Sequence, residues 1–415
     1  MRILIIGAGI IGLTSAWYLS QAGHEVVVVD QHNGPAEGAS FANGGMLSVG
    51  HCAPTAAPGL PAMALKSLFQ KDAAFSFRPD WRMQQVEWMW RALRQCTAPR
   101  YDINRARMVA LGKHSRQCFH ALQTALSIPC DWQQGGVIQL CETEAHLKAA
   151  QAQQASLQAI GMQSRLLTVD ELLALEPGLR YSANPLVGAL HLVEEESGDC
   201  ALFAAGLLKQ LLAQGVTVKF GVTVEKIVTA GQRVRALMTN EGEMVADRYV
   251  VATGDLSHDL LRGLVNLPVY PVKGYSLTLD VVNEDSAPRH ALLDMSHNMA
   301  MTRMGSRVRV AGYAELRGHD HMVEGRKVSH LKETFDGWFV DAVDLKKSSP
   351  WVGFRPMTPE GTPYVSQTDL ANLYVNAGQG IYGWTLSCGS AEILSRLING
   401  QASEAELAAY SLNRQ

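Results

Sequence analysis

The first thirty residues constrain the fold more than any other part of the chain. Gly7-Ala8-Gly9-Ile10-Ile11-Gly12 follows directly on the apolar run Ile3–Ile6, and Asp30 stands eighteen residues beyond Gly12. A strand that ends in this spacing predicts a βαβ unit built to hold a dinucleotide. The first glycine permits the tight turn, the second lets the backbone approach a pyrophosphate, and the third lets helix pack on strand. Gly7, Gly9, Ile10, Ile11 and Gly12 are therefore candidate pyrophosphate contacts at the start of a helix expected over Ile10–Ala22. Free N–H groups and the macrodipole favour negative charge there. Asp30 ends the run Glu25-Val-Val-Val-Val-Asp30, placed to accept hydrogen bonds from a ribose, with Gln31 beside it.

At 415 residues the chain exceeds a typical single domain, so two are expected. A net charge of −3 offers no electrostatic case for nucleic acid. Seven scattered cysteines, an odd number with no C-x-x-C, read as reduced thiols and not as a disulfide frame or a metal site. Met1-Arg2 and the apolar stretch after it superficially resemble a secretory leader. The glycines fall where the nucleotide turn needs them, however, and Gln21, His24 and Glu25 follow without a cleavage site, so a cytoplasmic protein is expected. No apolar run reaches the roughly eighteen residues that span a bilayer.

Further along, residues 34–61 are rich in Gly, Ala, Ser and Pro, and a helical region is expected over about 61–127. Gly135–Leu140 reads as a strand, Glu142–Ile160 as a helix, and Thr168 as the cap of another. The α/β pattern then returns. A helix over Asp199–Gln214 precedes the strand Val216–Phe220, and a buried strand from Tyr249 ends in the small-residue turn Ala252-Thr253-Gly254, a further candidate cofactor contact. Strands alternate over 268–320; Leu373–Asn376 is a strand and Trp384–Leu397 a closing helix. The implied architecture is α/β: a discontinuous Rossmann-like domain (1–55, 197–260 and 351–415) and a second α+β substrate domain of mixed or antiparallel sheet (56–196 and 261–350).

Gly378-Gln379-Gly380-Ile381-Tyr382-Gly383 repeats the opening spacing, again between a strand and a helix, but no strand-terminal acid follows it. Two readings stand: a glycine turn for close packing, or a helix N-terminus aimed at the electron-rich end of the cofactor.

Several longer segments resemble one family. They are Ile6–Gly12, Ala16–Glu25, Ala53-Pro54 with Ala57–Gly59, Tyr270–Leu277, Gly353–Pro363 and Gly383–Gly389. Together they make the chain similar to FAD-dependent D-amino-acid dehydrogenases, a branch of the D-amino-acid oxidase and glycine oxidase superfamily, almost end to end. The resemblance implies FAD in extended form, with adenosine near Asp30 and pyrophosphate at Gly9–Ile11. Ser40, Ala42, Asn43, Gly44, Gly45 and Met46 match the segment passing the flavin N5 and O4 side. Val224 matches a backbone contact to adenine, and Gly380, Ile381, Tyr382, Gly383, Trp384 and Thr385 match the turn at the flavin pyrimidine. Related sarcosine-type enzymes hold flavin through a cysteine near the Met357-Thr358-Pro359 stretch; none lies here between Cys200 and Cys388, so a non-covalent cofactor is expected. Gln379, Asp255 and His51-Cys52 depart from the family pattern and bear on substrate choice.

The implied reaction is oxidative deamination of a D-amino acid to a 2-oxo acid and ammonia, by hydride transfer from Cα to flavin N5. Arg355 matches the family's carboxylate anchor, and a planar guanidinium suits that task. Tyr275 is a candidate donor to substrate. Arg303 and Tyr313, on adjacent strands, are weaker substrate candidates, and so is His51, placed to tune or deprotonate. No second complete Rossmann unit is present to serve NAD as acceptor. The Trp81–Arg94 stretch suggests either an interfacial helix leading to a membrane quinone at the inner face of the cytoplasmic membrane, or core packing. Two alternatives remain: a flavoenzyme for secondary amines or imino acids (D-proline, hydroxy-D-proline, glycine, sarcosine), and an FAD-bearing electron-transfer subunit of a larger complex. The sequence leaves the oligomeric state open.

Overall fold

The computed structural model describes residues 1–62, 75–80 and 82–414. In chain order the elements that build the site begin with β1 (Arg2–Ile6), α1 (Ile10–Gln21), β2 (Glu25–Asp30), β3 (Phe75–Phe77), α2 (Met83–Gln95) and α3 (Ala98–Leu126). Next come β4 (Val137–Cys141), β5 (Arg165–Leu167), β6 (Gly188–Leu192), α4 (Cys200–Ala213), β7 (Thr217–Phe220), β8 (Arg248–Val251), β9 (Tyr270–Val281), β10 (Ala291–Asp294), β11 (Met299–Met304) and β12 (Arg307–Leu316). The last are α5 (Gly325–Trp338), β13 (Val343–Met357), β14 (Tyr364–Gln367), β15 (Leu373–Ala377) and α6 (Gly383–Ile398).

The first sheet runs β7-β2-β1-β8-β15-β14 and is parallel except where β14 meets β15. Its strands are nearly continuous β-branched runs because helices or a second sheet cover both faces: Val26–Val29 of β2 are all buried. On one face lie α1, α3, α4 and α6, sharing Leu13, Phe119, Phe203 and Leu394 in one core. On the other, the three-stranded sheet of residues 224–244 contributes Ile227, Val234 and Leu237. Gly23, at φ +80°, ends α1 in the left-handed conformation, and Asp199 caps α4 by accepting from the N–H groups of Ala201 and Leu202.

The second sheet has nine strands, β13-β9-β12-β11-β10-β4-β6-β5, with β3 paired to β12. One face packs on α5 through Leu331, Phe335 and Trp338 against Leu277, Val310, Met301 and Leu292. The alternate positions, Ala311, Ala300 and Leu293 in one cross-strand row, face the first sheet's domain across a cavity.

One expected domain limit and one expected domain assignment do not follow the structure. The limit at 350/351 falls inside β13, which pairs with β9 from Val343 to Met357, so Arg355 belongs to the large sheet. Helix α3 was expected in the substrate domain, yet its Met108, Leu111, Phe119 and Leu122 pack in the nucleotide-type core. In the expected helical region 61–127, Phe75–Phe77 is instead a short strand, and residues 63–74 lie outside the described residues.

Candidate active site

A cavity of about 1340 Å³ is lined from both domains. That exceeds the roughly 300–1,000 Å³ of ordinary ligand pockets, as an extended dinucleotide plus a substrate would require.

The cradle at one end is made by backbone. Gly7 has φ +110°, and a Cβ there would fall 2.5 Å from the Ala252 carbonyl oxygen. A Cβ on Gly12 would lie 1.8 Å from the Gly7 carbonyl oxygen. Gly9 lines the cavity, and a Cβ there would meet only the Ser40 hydroxyl, at 3.5 Å, so its bare backbone faces a ligand. Ser40 Oγ accepts from the Ile10 N–H at 3.1 Å and ties residue 40 to the start of α1. Asp30 Oδ2 accepts from the Ala8 N–H at 2.6 Å and Oδ1 from the His32 N–H at 2.8 Å. The His32 ring Nδ1 also lies 2.8 Å from Oδ1; a carboxylate has about four lone-pair sites, so one remains for a ribose hydroxyl. Gln31, Val224, Ala252, Thr253 and Gly254 line the same end. Gly12 does not line the cavity; its role is the close packing of α1 on β1.

The middle of the cavity is bounded by residues 40–46, held from below by groups the sequence did not disclose. The buried Arg309 donates through Nη1 to the Asn43 carbonyl at 3.2 Å, with Asp199 as its acidic neighbour at 3.7 Å. The Thr302 hydroxyl donates to the Gly44 carbonyl at 2.7 Å. Gly45, at φ +75°, has no room for a side chain: a Cβ would reach 2.1 Å from the Met304 methyl. Beyond Met46, the Glu195 carboxylate accepts from the N–H groups of Val49 and Gly50 at 2.6 and 2.7 Å. Burial pushes its pKa up to about 7, against the pull of those donors.

His51 lines the cavity with its Nδ1 2.6 Å from Ser48 Oγ. Burial lowers its pKa to about 4, so it is neutral near pH 7, and its Nε2 is buried without a hydrogen-bond partner among the described residues. Gly380–Thr385 line the cavity where α6 begins, and the Ser48 N–H donates to Thr385 Oγ1 at 3.1 Å. None of the seven cysteines lines the cavity.

The opposite wall belongs to the large sheet. Arg355 on β13 sits opposite Val272 of β9. Gly274 lets its guanidinium lie across the neighbouring strand: a Cβ at 274 would fall 2.6 Å from Nη2. Nη1 donates to the Tyr313 carbonyl at 2.5 Å. Burial lowers the Arg355 pKa to about 10, still far above neutrality, and no carboxylate among the described residues pairs with it.

Other expected substrate contacts change. Tyr275 lines the cavity, but its hydroxyl donates to Glu315 Oε2 at 3.3 Å, with the ammonium groups of Lys273 and Lys327 about 5 Å from its ring centroid. Its hydroxyl is turned to that charged cluster, while its ring faces the cavity where a donation to substrate is expected. Arg303 is removed from the site: with Met299 and Met301 it shares the face of β11 turned away from the cavity, and it pairs with Glu284 at 2.8 Å. Tyr313 lines the cavity while its hydroxyl meets His330 Nδ1 at 2.8 Å. Trp351 and Phe354 complete this wall.

In the 81–94 stretch, with Trp81 itself outside the described residues, one face packs inward and another is exposed. On α2, Trp88 donates to the Met357 carbonyl at 2.8 Å and packs on Tyr270, and Trp88, Met89 and Leu93 line an apolar arm of the cavity with Phe75 and Phe77. Met83 (79% exposed), Val86, Trp90 (62%) and Leu93 form an outward stripe at helical spacing. Among the described residues, no helix is long and apolar enough to cross a membrane.

The model of the family described as "FAD dependent oxidoreductase" (DAO) matches residues 2–397. The chain belongs to this family. FAD is therefore its cofactor, and the glycine cradle, the remaining acceptor site of Asp30 and the shaped 40–46 segment fit an extended dinucleotide. Over 405 residues the chain is 41% identical to a D-amino acid dehydrogenase of Vibrio vulnificus (strain CMCP6), with 97% of each chain covered. Its fold is similar to that of glycine oxidase from Geobacillus kaustophilus (TM-score 0.76, 23% identity, 100% and 99% of the chains covered). It is also similar to iminodiacetate oxidase from Chelativorans sp. BNC1 (TM-score 0.75, 22% identity, 99% and 98% covered). These solved structures share the DAO fold.

Proposed function

We propose that this chain oxidises D-amino acids to 2-oxo acids and ammonia. The observation that carries the reading is Arg355: a partly buried guanidinium, facing a cavity, with no acid of its own among the described residues. A buried cation without a counter-ion is costly, and an incoming carboxylate offsets that cost through two parallel charge-assisted hydrogen bonds. The likeness to the Vibrio vulnificus enzyme, whose name specifies a D-amino acid, supports the same substrate class.

When bound, FAD supplies the acceptor for the hydride that leaves the substrate Cα. The chain's own residues do the rest. Arg355, held flat over Gly274 and bonded to the Tyr313 carbonyl, fixes the carboxylate and with it the direction of the Cα–H bond. The amine enters the reaction neutral and loses one N–H proton as the imine forms; water then adds to the imine carbon and ammonia leaves. His51, neutral near pH 7, adds no positive charge beside the substrate. Trp351 and Phe354 exclude water beside the anchor.

For the electron acceptor, the reading is a membrane quinone reached from the inner face of the cytoplasmic membrane. The outward stripe of α2 and the apolar arm beneath it support that reading. Replacing Val86 and Trp90, which do not line the cavity, with Asp should abolish co-sedimentation with lipid vesicles and leave turnover with a soluble dye intact; retained co-sedimentation would remove this contact from the account.

The substrate reading is tested by anaerobic addition of a panel of D-amino acids and imino acids to the FAD-loaded protein. D-Amino acids should bleach the yellow flavin band. Bleaching by cyclic or N-substituted substrates alone would move the assignment to a secondary-amine enzyme, and no bleaching at all would favour an electron-transfer subunit.

A further inference from the structure

The wall around Arg355 contains a strained residue that the reaction as derived above does not explain. Tyr313 has φ +61°, a left-handed conformation that bulky residues adopt only when their surroundings over-determine it. The β9–β12 ladder shows why it arises. The register steps from Tyr275↔Gly312 to Lys273↔Glu315, two residues on β9 against three on β12, so a bulge sits at Tyr313. Bulges re-aim groups beside active sites. Here the carbonyl of Tyr313 receives Arg355 Nη1 at 2.5 Å.

Something must hold this conformation, and helix α5 carries the candidates. The Tyr313 hydroxyl lies 2.8 Å from His330 Nδ1. Lys327 Nζ, one turn earlier on α5, stands 5.6 Å from the Tyr313 ring centroid, and the Tyr275 ring meets the Tyr313 ring edge-on at 5.6 Å. The His297 ring backs His330 at 5.7 Å. The far end of the Tyr313 side chain is thereby pinned to a helix, and its near end presents the carbonyl to the carboxylate anchor.

We infer that His330 is a positioning residue for carboxylate recognition: by holding the Tyr313 hydroxyl it keeps the strained Tyr313 carbonyl turned onto Arg355, and so fixes the guanidinium. This rests on the reading of Arg355 as the anchor. His330 itself does not line the cavity and has no part in the redox step.

The test uses FAD-loaded His330→Phe, His330→Asn and Tyr313→Phe with Arg355→Ala as reference. Steady-state turnover of D-alanine gives KM and kcat. Perturbation of the flavin spectrum gives the dissociation constant of propionate, which has the carboxylate and no amine. Losing one positioning hydrogen bond should raise both KM and the propionate constant about tenfold in His330→Phe and Tyr313→Phe, with kcat and bound FAD nearly unchanged. Asparagine, whose amide can replace the Nδ1 contact, should restore most of that loss. A merely structural role would lower FAD retention, thermal stability and kcat together, and asparagine would rescue nothing selectively; that pattern overturns the inference. If His330→Phe fails to fold, Tyr313→Phe, which removes a single oxygen, decides alone. Unchanged carboxylate affinity in the His330 and Tyr313 variants, with a large loss in Arg355→Ala, would sink this inference and spare the anchor. An Arg355→Ala variant with unchanged affinity would sink the anchor itself.

Discussion

The two glycine turns share one spacing and differ in what enforces it. At Gly7–Gly12 the third glycine is sterically required as well as the first: a Cβ on Gly7, at φ +110°, or on Gly12 would run into backbone oxygens at 2.5 and 1.8 Å. At Gly378–Gly383 the first two glycines are also needed, at φ +84° and +59° and with a Cβ falling 2.4 Å from the Thr358 methyl and 2.9 Å from Met357 Sδ, but the third sits in ordinary helical geometry. A Cβ on Gly383 would meet nothing nearer than Gln379 Cβ at 4.0 Å. The same letters therefore record a packed strand–helix junction in one place and a bend leading into a helix in the other. Only the first also has its acid, Asp30, at the end of the next strand. Identical motifs carry a dinucleotide assignment only when the third glycine is sterically required and the acid is in register.

The largest expected effect tests that difference directly. Gly12→Ala drives a methyl into immovable backbone and should cost more than about 4 kcal/mol, read as loss of FAD retention and a collapsed melting temperature. Next, Arg355→Ala should keep FAD and the fold but weaken carboxylate binding by about 3 kcal/mol, measured as the ratio of KM values or by propionate titration. Glu195 gives a smaller, pH-dependent effect. Its folded pKa of about 7 exceeds its ordinary 4.5, so between those values the folded chain holds a proton that the unfolded chain has released. Stability from this group is therefore greatest below pH 4.5 and falls as pH rises towards 7, by at most about 3 kcal/mol. Glu195→Gln should lower stability by a fixed offset and flatten that slope in melting curves taken across the window. The smallest effect belongs to Gly383→Ala, whose melting temperature without FAD should be unchanged or slightly raised, within about 1 kcal/mol. A collapse there equal to that of Gly12→Ala would erase the distinction between the two turns.

The cofactor end was legible because glycine positions and a terminal acid encode backbone shape locally. The β-branched run of β2 and the cap at Asp199 were readable for the same reason. At the substrate end the sequence pointed to Arg355, which the fold sets in the cavity wall, through a resemblance and a suitable side-chain chemistry. Arg303 misled because facing parity along β11 depends on which side α5 packs, a tertiary fact absent from the strand's own alternation. The partner of the Tyr275 hydroxyl, Glu315, was not readable because it is 40 residues away in sequence. The bulge at Tyr313 leaves no mark in a run that reads as a regular strand, and Arg309 looks like any strand arginine until the fold sets it under Asn43. The domain limits erred for a related reason. A strand as long as β13 crosses from one composition to another, and α3 packs by its buried face whatever segment of chain it was inserted with.

The most direct test of the account is anaerobic titration of the FAD-loaded wild type and Arg355→Ala with D-alanine, with L-alanine as control. The account predicts that D-alanine bleaches the wild-type flavin at low concentration, that L-alanine does not, and that Arg355→Ala retains its yellow colour but needs far more D-alanine to lose it. Equal bleaching of both proteins, or bleaching by both enantiomers alike, would contradict it.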